Sequence, residues 1–183
     1  MHVRILLAVL AAGFSGPGLA DSIDINLNSD SIQATYASNW RTAELDLGLL
    51  SNSDKDNWVA SAGLLALGET QPTGTRTEVG VGGKIYLASA SDQDVLALGL
   101  GGQVRVFPHG GPIGIAGYVF YAPDVVTSGD AQQFWEAGAR IEFEAIESTA
   151  SIYLGYRKAR AKLDNGLHVT VDSGAHAGVR IHF

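Results

Sequence analysis

Apolar and polar residues alternate along most of this chain, and the pattern is cleanest toward its end. Phe183, Ile181, Val179, Ala177 and Ala175 fall on one face, while His182, Arg180, Gly178, His176 and Gly174 fall on the other. Successive strand side chains point to opposite sides, so this segment has one purely apolar face and one polar or small face. The same two-residue period recurs upstream and predicts strands over Ser22–Leu27, Ile32–Ala37, Arg41–Leu50, Asn57–Leu67, Thr77–Ala88, Asp94–Phe107, Ile113–Tyr121, Gln133–Glu144 and Ser148–Arg160. The last strand begins after Gly166, with Leu167, Val169 and Val171 continuing the apolar parity of the terminus. Turn-rich stretches separate the segments, the longest at Ala122–Ala131, with a hairpin dipeptide at Asn165-Gly166. No stretch beyond the first twenty residues carries a sustained helical period.

Those first twenty residues have the form of a secretory signal. Arg4 supplies a positive start, Ile5–Gly13 is a short apolar run, and Gly18-Leu19-Ala20 leaves small residues for cleavage. The run is shorter than the roughly 20 residues of a membrane helix. The expected organisation is therefore a signal over residues 1–20 and one domain over 21–183. Export together with ten alternating segments implies an all-β fold: an antiparallel up-and-down transmembrane β-barrel in a bacterial outer membrane. Ten strands is the expectation. Eight is the alternative, with the N-terminal hairpin outside the membrane band.

Composition changes this picture only at the margins. Mean hydropathy is +0.12, as expected where apolar residues are diluted by lumen-facing polar ones. The net charge is −7, and −8 without the signal, whose one Arg is balanced by no acid. No basic block argues for a nucleic-acid partner. Cysteine is absent, so no disulfide framework is expected. Trp40, Trp58, Trp135, Tyr121 and Tyr156 fall near segment ends, where aromatic girdles belong.

The inward parity carries the candidate chemistry. Glu44, Asp46, Glu78, Glu136, Glu142 and Glu144 share it with Lys84, Arg105, Arg140, Arg157 and Arg180. The lumen of so small a barrel is narrow, and an isolated buried ion costs several kcal/mol, so these charges are expected to pair. The alternative use of the same cluster is a selective narrow pore. Catalytic and metal signals are weak. His176 and His182 share a face but lie six residues apart, and Ser173 has the opposite parity to His176. Val81-Gly82-Gly83-Lys84 resembles a phosphate loop only superficially, without its full spacing or a following helix. No catalytic, cofactor or metal residue is assigned.

The chain resembles the YfaZ family of Gram-negative outer-membrane proteins. The likeness lies in Asp24–Tyr36, in Ala43–Leu49 followed by Ser-Asn-Ser-Asp-Lys-Asp-Asn and an aromatic, in Val79–Tyr86, and in the closing Gly178-Val179-Arg180-Ile181-His182-Phe183. It implies a small outer-membrane barrel and brings no catalytic residues with it. It also implies that Val179, Ile181 and Phe183 form the signal read by the barrel-assembly machinery. The expected partners are that machinery, outer-membrane lipid and lipopolysaccharide. Two other readings compete: a barrel enzyme acting on lipid, and a soluble periplasmic ligand binder of lipocalin type. The soluble reading would bury Leu45, Val79, Leu98, Ile141 and Ile181, whereas a membrane barrel leaves them facing lipid.

Overall fold

A computed structural model describes residues 20–53, 57–90, 93–129, 131–146, 149–163 and 166–183. The expected signal lies almost wholly outside the described residues. The strands are β1 (Ala20–Leu27), β2 (Ser31–Trp40), β3 (Ala43–Asn52), β4 (Asn57–Thr70), β5 (Arg76–Ala90), β6 (Gln93–Phe107), β7 (Ile113–Ala122), β8 (Thr127–Gly129), β9 (Ala131–Ile146), β10 (Ala150–Leu163) and β11 (His168–His182). Every pairing is antiparallel, mostly between chain neighbours with β6–β8 and β7–β9 besides, and β1 pairs with β11, so the sheet closes on itself. β7 and β8 lie end to end beside β6 and count as one barrel strand, which makes ten. The seam runs to the last residue: Asp21 N–H donates to Phe183 O at 3.0 Å, and Phe183 N–H donates to Asp21 O at 2.9 Å. A closed antiparallel barrel leaves no unpaired edge.

The outward face carries an apolar belt around the barrel. Val79, Val81, Ile85 and Leu87 on β5, Leu96, Leu98 and Leu100 on β6, and Ile113, Ile115 and Val119 on β7 are exposed. Ile141, Ile152, Leu154, Val179 and Ile181 continue the belt across β9 to β11. A water-soluble barrel would turn these residues inward, and exposed apolar surface on this scale marks a lipid interface. Leu45, with the same parity as exposed Leu47, is half-buried. Trp40 at one rim and Trp58 and Tyr121 at the other are exposed. Tyr156 is exposed too, but it sits in the middle of β10 rather than near its end.

Two expectations are corrected. Val169 and Val171 do not continue the outward parity of the terminus. Val171 is fully buried in the lumen core and Val169 packs against it. The cause is a bulge: Ala159 pairs with Asp172 while Arg160 pairs with Thr170, leaving Val171 extra, and the side-chain parity reverses there. Ala122–Ala131 is also not a free loop. Asp124–Val126 forms a short 3₁₀ turn, Thr127 Oγ1 donates to Pro123 O at 2.9 Å, and Thr127–Gly129 resumes pairing with Val95–Ala97.

Candidate functional site: the barrel lumen

The end of the barrel bearing both chain termini is here the terminal end, and the other the far end. Inward side chains divide the lumen between them.

The terminal half is polar and open. A cavity of about 380 Å³ reaches from Ser22, Glu78 and His182 near the terminal rim to Lys84, Phe120, Glu136, Asn26 and Gln33 at its inner end. One wall carries a continuous ion network. Arg105 Nη1 lies 2.8 Å from Glu78 and its Nη2 2.9 Å from Glu142. Arg140 bridges Glu142 to Asp24, and Arg180 Nη2 lies 2.9 Å from Asp24. Arg76 extends the chain at the rim, pairing with Glu78 at 3.4 Å and with Glu144. Acids and bases alternate along it, so every charge but the two at its ends lies between opposite ones, the condition for burying ions at tolerable cost. Opposite this wall, Lys84 Nζ lies 3.0 Å from Asp46 Oδ1 and 4.9 Å from the centre of the Phe120 ring. Gln103 donates to Glu44 at 2.9 Å.

Glycines make the inward reach of these side chains possible. A Cβ at Gly63 would collide with the Asp46 carboxylate and the Lys84 stem. A Cβ at Gly178 would collide with the Tyr153 ring, whose hydroxyl donates to Asp24. Glycine in a strand here marks the close approach of another group.

The far half is packed apart from a void of about 20 Å³ among Gln33, Leu50, Tyr86 and Phe134. Leu50, Leu65, Tyr86, Phe120, Phe134 and Val171 belong to one apolar cluster, with Tyr86 and Phe134 ring centroids 4.7 Å apart. The plug keeps its polar edge toward the cavity, where Tyr86 and Tyr118 hydroxyls donate to Glu136 at 2.9 and 3.1 Å. Inside the far half lies a polar knot. Arg157, 1% exposed, is held by Asp172, Asn26 and Gln33, and donates to Ser31 Oγ at 3.0 Å. At the far rim Val95, Ala131, Leu163 and Asn57 are buried, so water enters the lumen from the terminal end.

The eleven lumen residues singled out from sequence thus fall into separate groups, with Glu144 on Arg76 at the rim. Glu78, Arg105, Glu142, Arg140 and Arg180 share the network, Asp46 meets Lys84, and Glu44 meets Gln103. Glu136 is held by tyrosines, and Arg157 stands apart in the far half. Two further charges join these groups: Arg76, one residue before the strand expected from Thr77, and Asp172, the buried partner of Arg157. Asp24 had the inward parity but was not singled out, since its two arginine partners are on β9 and β11. Of the histidines, His176 is buried with its ring 5.9 Å from that of Tyr153, edge-on. Ser173 faces outward, its Oγ 2.9 Å from the Tyr156 hydroxyl. Val81-Gly82-Gly83-Lys84 lies within β5, and the next element among the described residues is the strand β6, not a helix.

Among solved structures, the barrel is similar to the outer-membrane channel DcaP of Acinetobacter baumannii, at 9% identity and a TM-score of 0.39 over 92% of this chain. It spans about half of that protein (55%). It is also similar to the NanC porin, at 9% identity and a TM-score of 0.42, over 90% of this chain and 98% of that one. No curated protein matches this sequence. The family described as "YfaZ precursor" matches residues 2–183. A closed barrel with a lipid-facing apolar belt and a family match over nearly its whole length make this chain an outer-membrane β-barrel protein of the YfaZ family.

Proposed function

We propose that the protein is a small porin-like barrel held closed: a structural element of the outer membrane whose lumen is a blind, charge-lined vestibule. The termini lie in the periplasm and the far end faces outside, as in even-stranded bacterial barrels. One observation carries the reading. The polar cavity is lined inward as far as Lys84, Phe120, Glu136, Asn26 and Gln33, and Tyr86, Phe134, Leu50 and Val171 pack together across the rest of the axis. The ion network braces the walls of the open half, since each charge is already satisfied by protein. The role is not enzymatic on this reading, and no solute is assigned.

Planar-bilayer recordings test it. The wild-type barrel gives no conductance above a lipid-only control. Phe120→Gly combined with Phe134→Gly opens the axis and gives steps. Steps from the wild type would overturn the closed reading in favour of a narrow pore. Orientation is tested separately, and the lack of native cysteine makes labelling clean. Cysteine at Gly166 labels with an impermeant maleimide on intact cells, whereas cysteine at Thr73 labels only after the outer membrane is permeabilised.

The C-terminal strand supports an assembly role for Val179, Ile181 and Phe183. Val179 and Ile181 pair with Ile25 and Ile23 across the seam and point outward, and the Phe183 side chain is exposed. The strand that closes the barrel thus ends in an apolar outward face available to a partner before closure. Deleting Phe183 lowers the folded, heat-modifiable fraction in the outer membrane. An unchanged folded yield would remove it from that role.

A further inference from the structure

The lipid-facing wall of β10 changes character along its length. Ile152, Leu154 and Tyr156 are exposed on the outer face of its first half. The next three residues of that face are Lys158, Arg160 and Lys162, while Arg157, Ala159, Ala161 and Leu163 are buried inside. Most other described arginines turn into the lumen, so the cations of the outer wall are concentrated on this one strand, at the far end. The partners across the ladder are uncharged apart from a histidine. Lys158 lies opposite Ser173 and Ala137, Arg160 opposite Thr170 and Trp135, and Lys162 opposite His168 and Gln133. No carboxylate is among them, and none of the three cations makes an ion pair among the described residues. Arg160 Nε is buried without a hydrogen-bond partner.

Depth decides what such a patch meets. A tilted strand crosses the hydrocarbon in about 9–11 residues. Counted from Ala150, that span ends near Lys158–Arg160, and Trp135 beside Arg160 belongs at the same boundary. Arg160 and Lys162 therefore lie at headgroup level. A merely solvated rim would mix both signs of charge, but the described residues of this patch are wholly basic on a chain of net charge −7. Guanidinium and ammonium groups two residues apart along a strand are suited to phosphate oxygens.

We propose that the outer face of β10 from Lys158 to Lys162 binds the phosphates of lipopolysaccharide in the outer leaflet. The assignment rests on the far end facing outside, which the Gly166 label reads independently, so a failure of orientation is recognised as such. Bis-phosphorylated lipid A is titrated against the folded barrel in detergent and followed by native mass spectrometry. The triple variant K158Q/R160Q/K162Q binds about two orders of magnitude more weakly, each basic residue near an anionic leaflet contributing about fivefold. These side chains lie outside the core, so the variant keeps its heat-modifiable band, and K158R/R160K/K162R restores binding. Dephosphorylated lipid A binds wild type no better than the triple variant. Equal binding of bis-phosphorylated lipid A by wild type and triple variant would overturn the proposal. So would equally tight, triple-sensitive binding to phosphatidylglycerol nanodiscs.

Discussion

In the terminal half of the lumen, arginines and acids stand in a row beside an open cavity. In the far half, the single arginine, Arg157, is sealed beneath aromatic rings and aliphatic side chains. Both halves are made by the same alternation on the same strands. The difference lies in what fills the inward positions, and it teaches that a barrel's wall and its permeability are encoded separately. Outward residues decide that the protein sits in lipid, whereas a handful of inward aromatics decide whether the axis is open.

Charge removal should separate the halves most strongly. Arg157→Met leaves Asp172 buried without its cation, a defect costing about 3–5 kcal/mol. Arg180→Met, in the open half, leaves Asp24 still held by Arg140 and Tyr153 and reachable by water, so the cost falls to about 1 kcal/mol. Urea unfolding in lipid vesicles measures both, and equal losses would remove the distinction between sealed and open halves.

The wall should be sensitive in a different way. Leu154→Arg places a charge in the hydrocarbon and costs about 2–4 kcal/mol in the same assay. Loss of that effect would mean that this face does not meet lipid. The smallest effect belongs to the cavity floor. Gly63→Ala forces Asp46 and Lys84 apart without adding a buried charge, for a loss of about 1 kcal/mol. A neutral result there would show that the Asp46–Lys84 contact contributes nothing to holding the floor.

Much of this was legible in the sequence because period two is a local signal. The outward parity of Val79–Leu87, Leu96–Leu100 and Ile113–Val119 needs no knowledge of what pairs with what. The same holds for the strand number, since turn residues mark each reversal. Partner choice in the lumen was not legible. Asp24 meets Arg140 and Arg180 only because the barrel closes, and Arg157 meets Asn26 across the seam of β1, β11 and β10. The bulge at Val171 was hidden for another reason. Leu167, Val169 and Val171 fit the outward period perfectly well, and only the pairing with β10 shows that one residue is extra. The apolar plug was invisible because Tyr86, Phe120 and Phe134 sit at inward positions on three different strands.

The blind lumen is tested most directly by thiol reactivity along one strand of the folded barrel. Single cysteines replace Glu78, Gly80, Lys84, Tyr86 and Ala88 on β5, and a water-soluble maleimide is added. The account predicts fast labelling at Glu78 and Gly80, slower labelling at Lys84, and protection at Tyr86 and Ala88. Labelling of Ala88 as fast as that of Glu78 would show water running the full length of the axis and would contradict it.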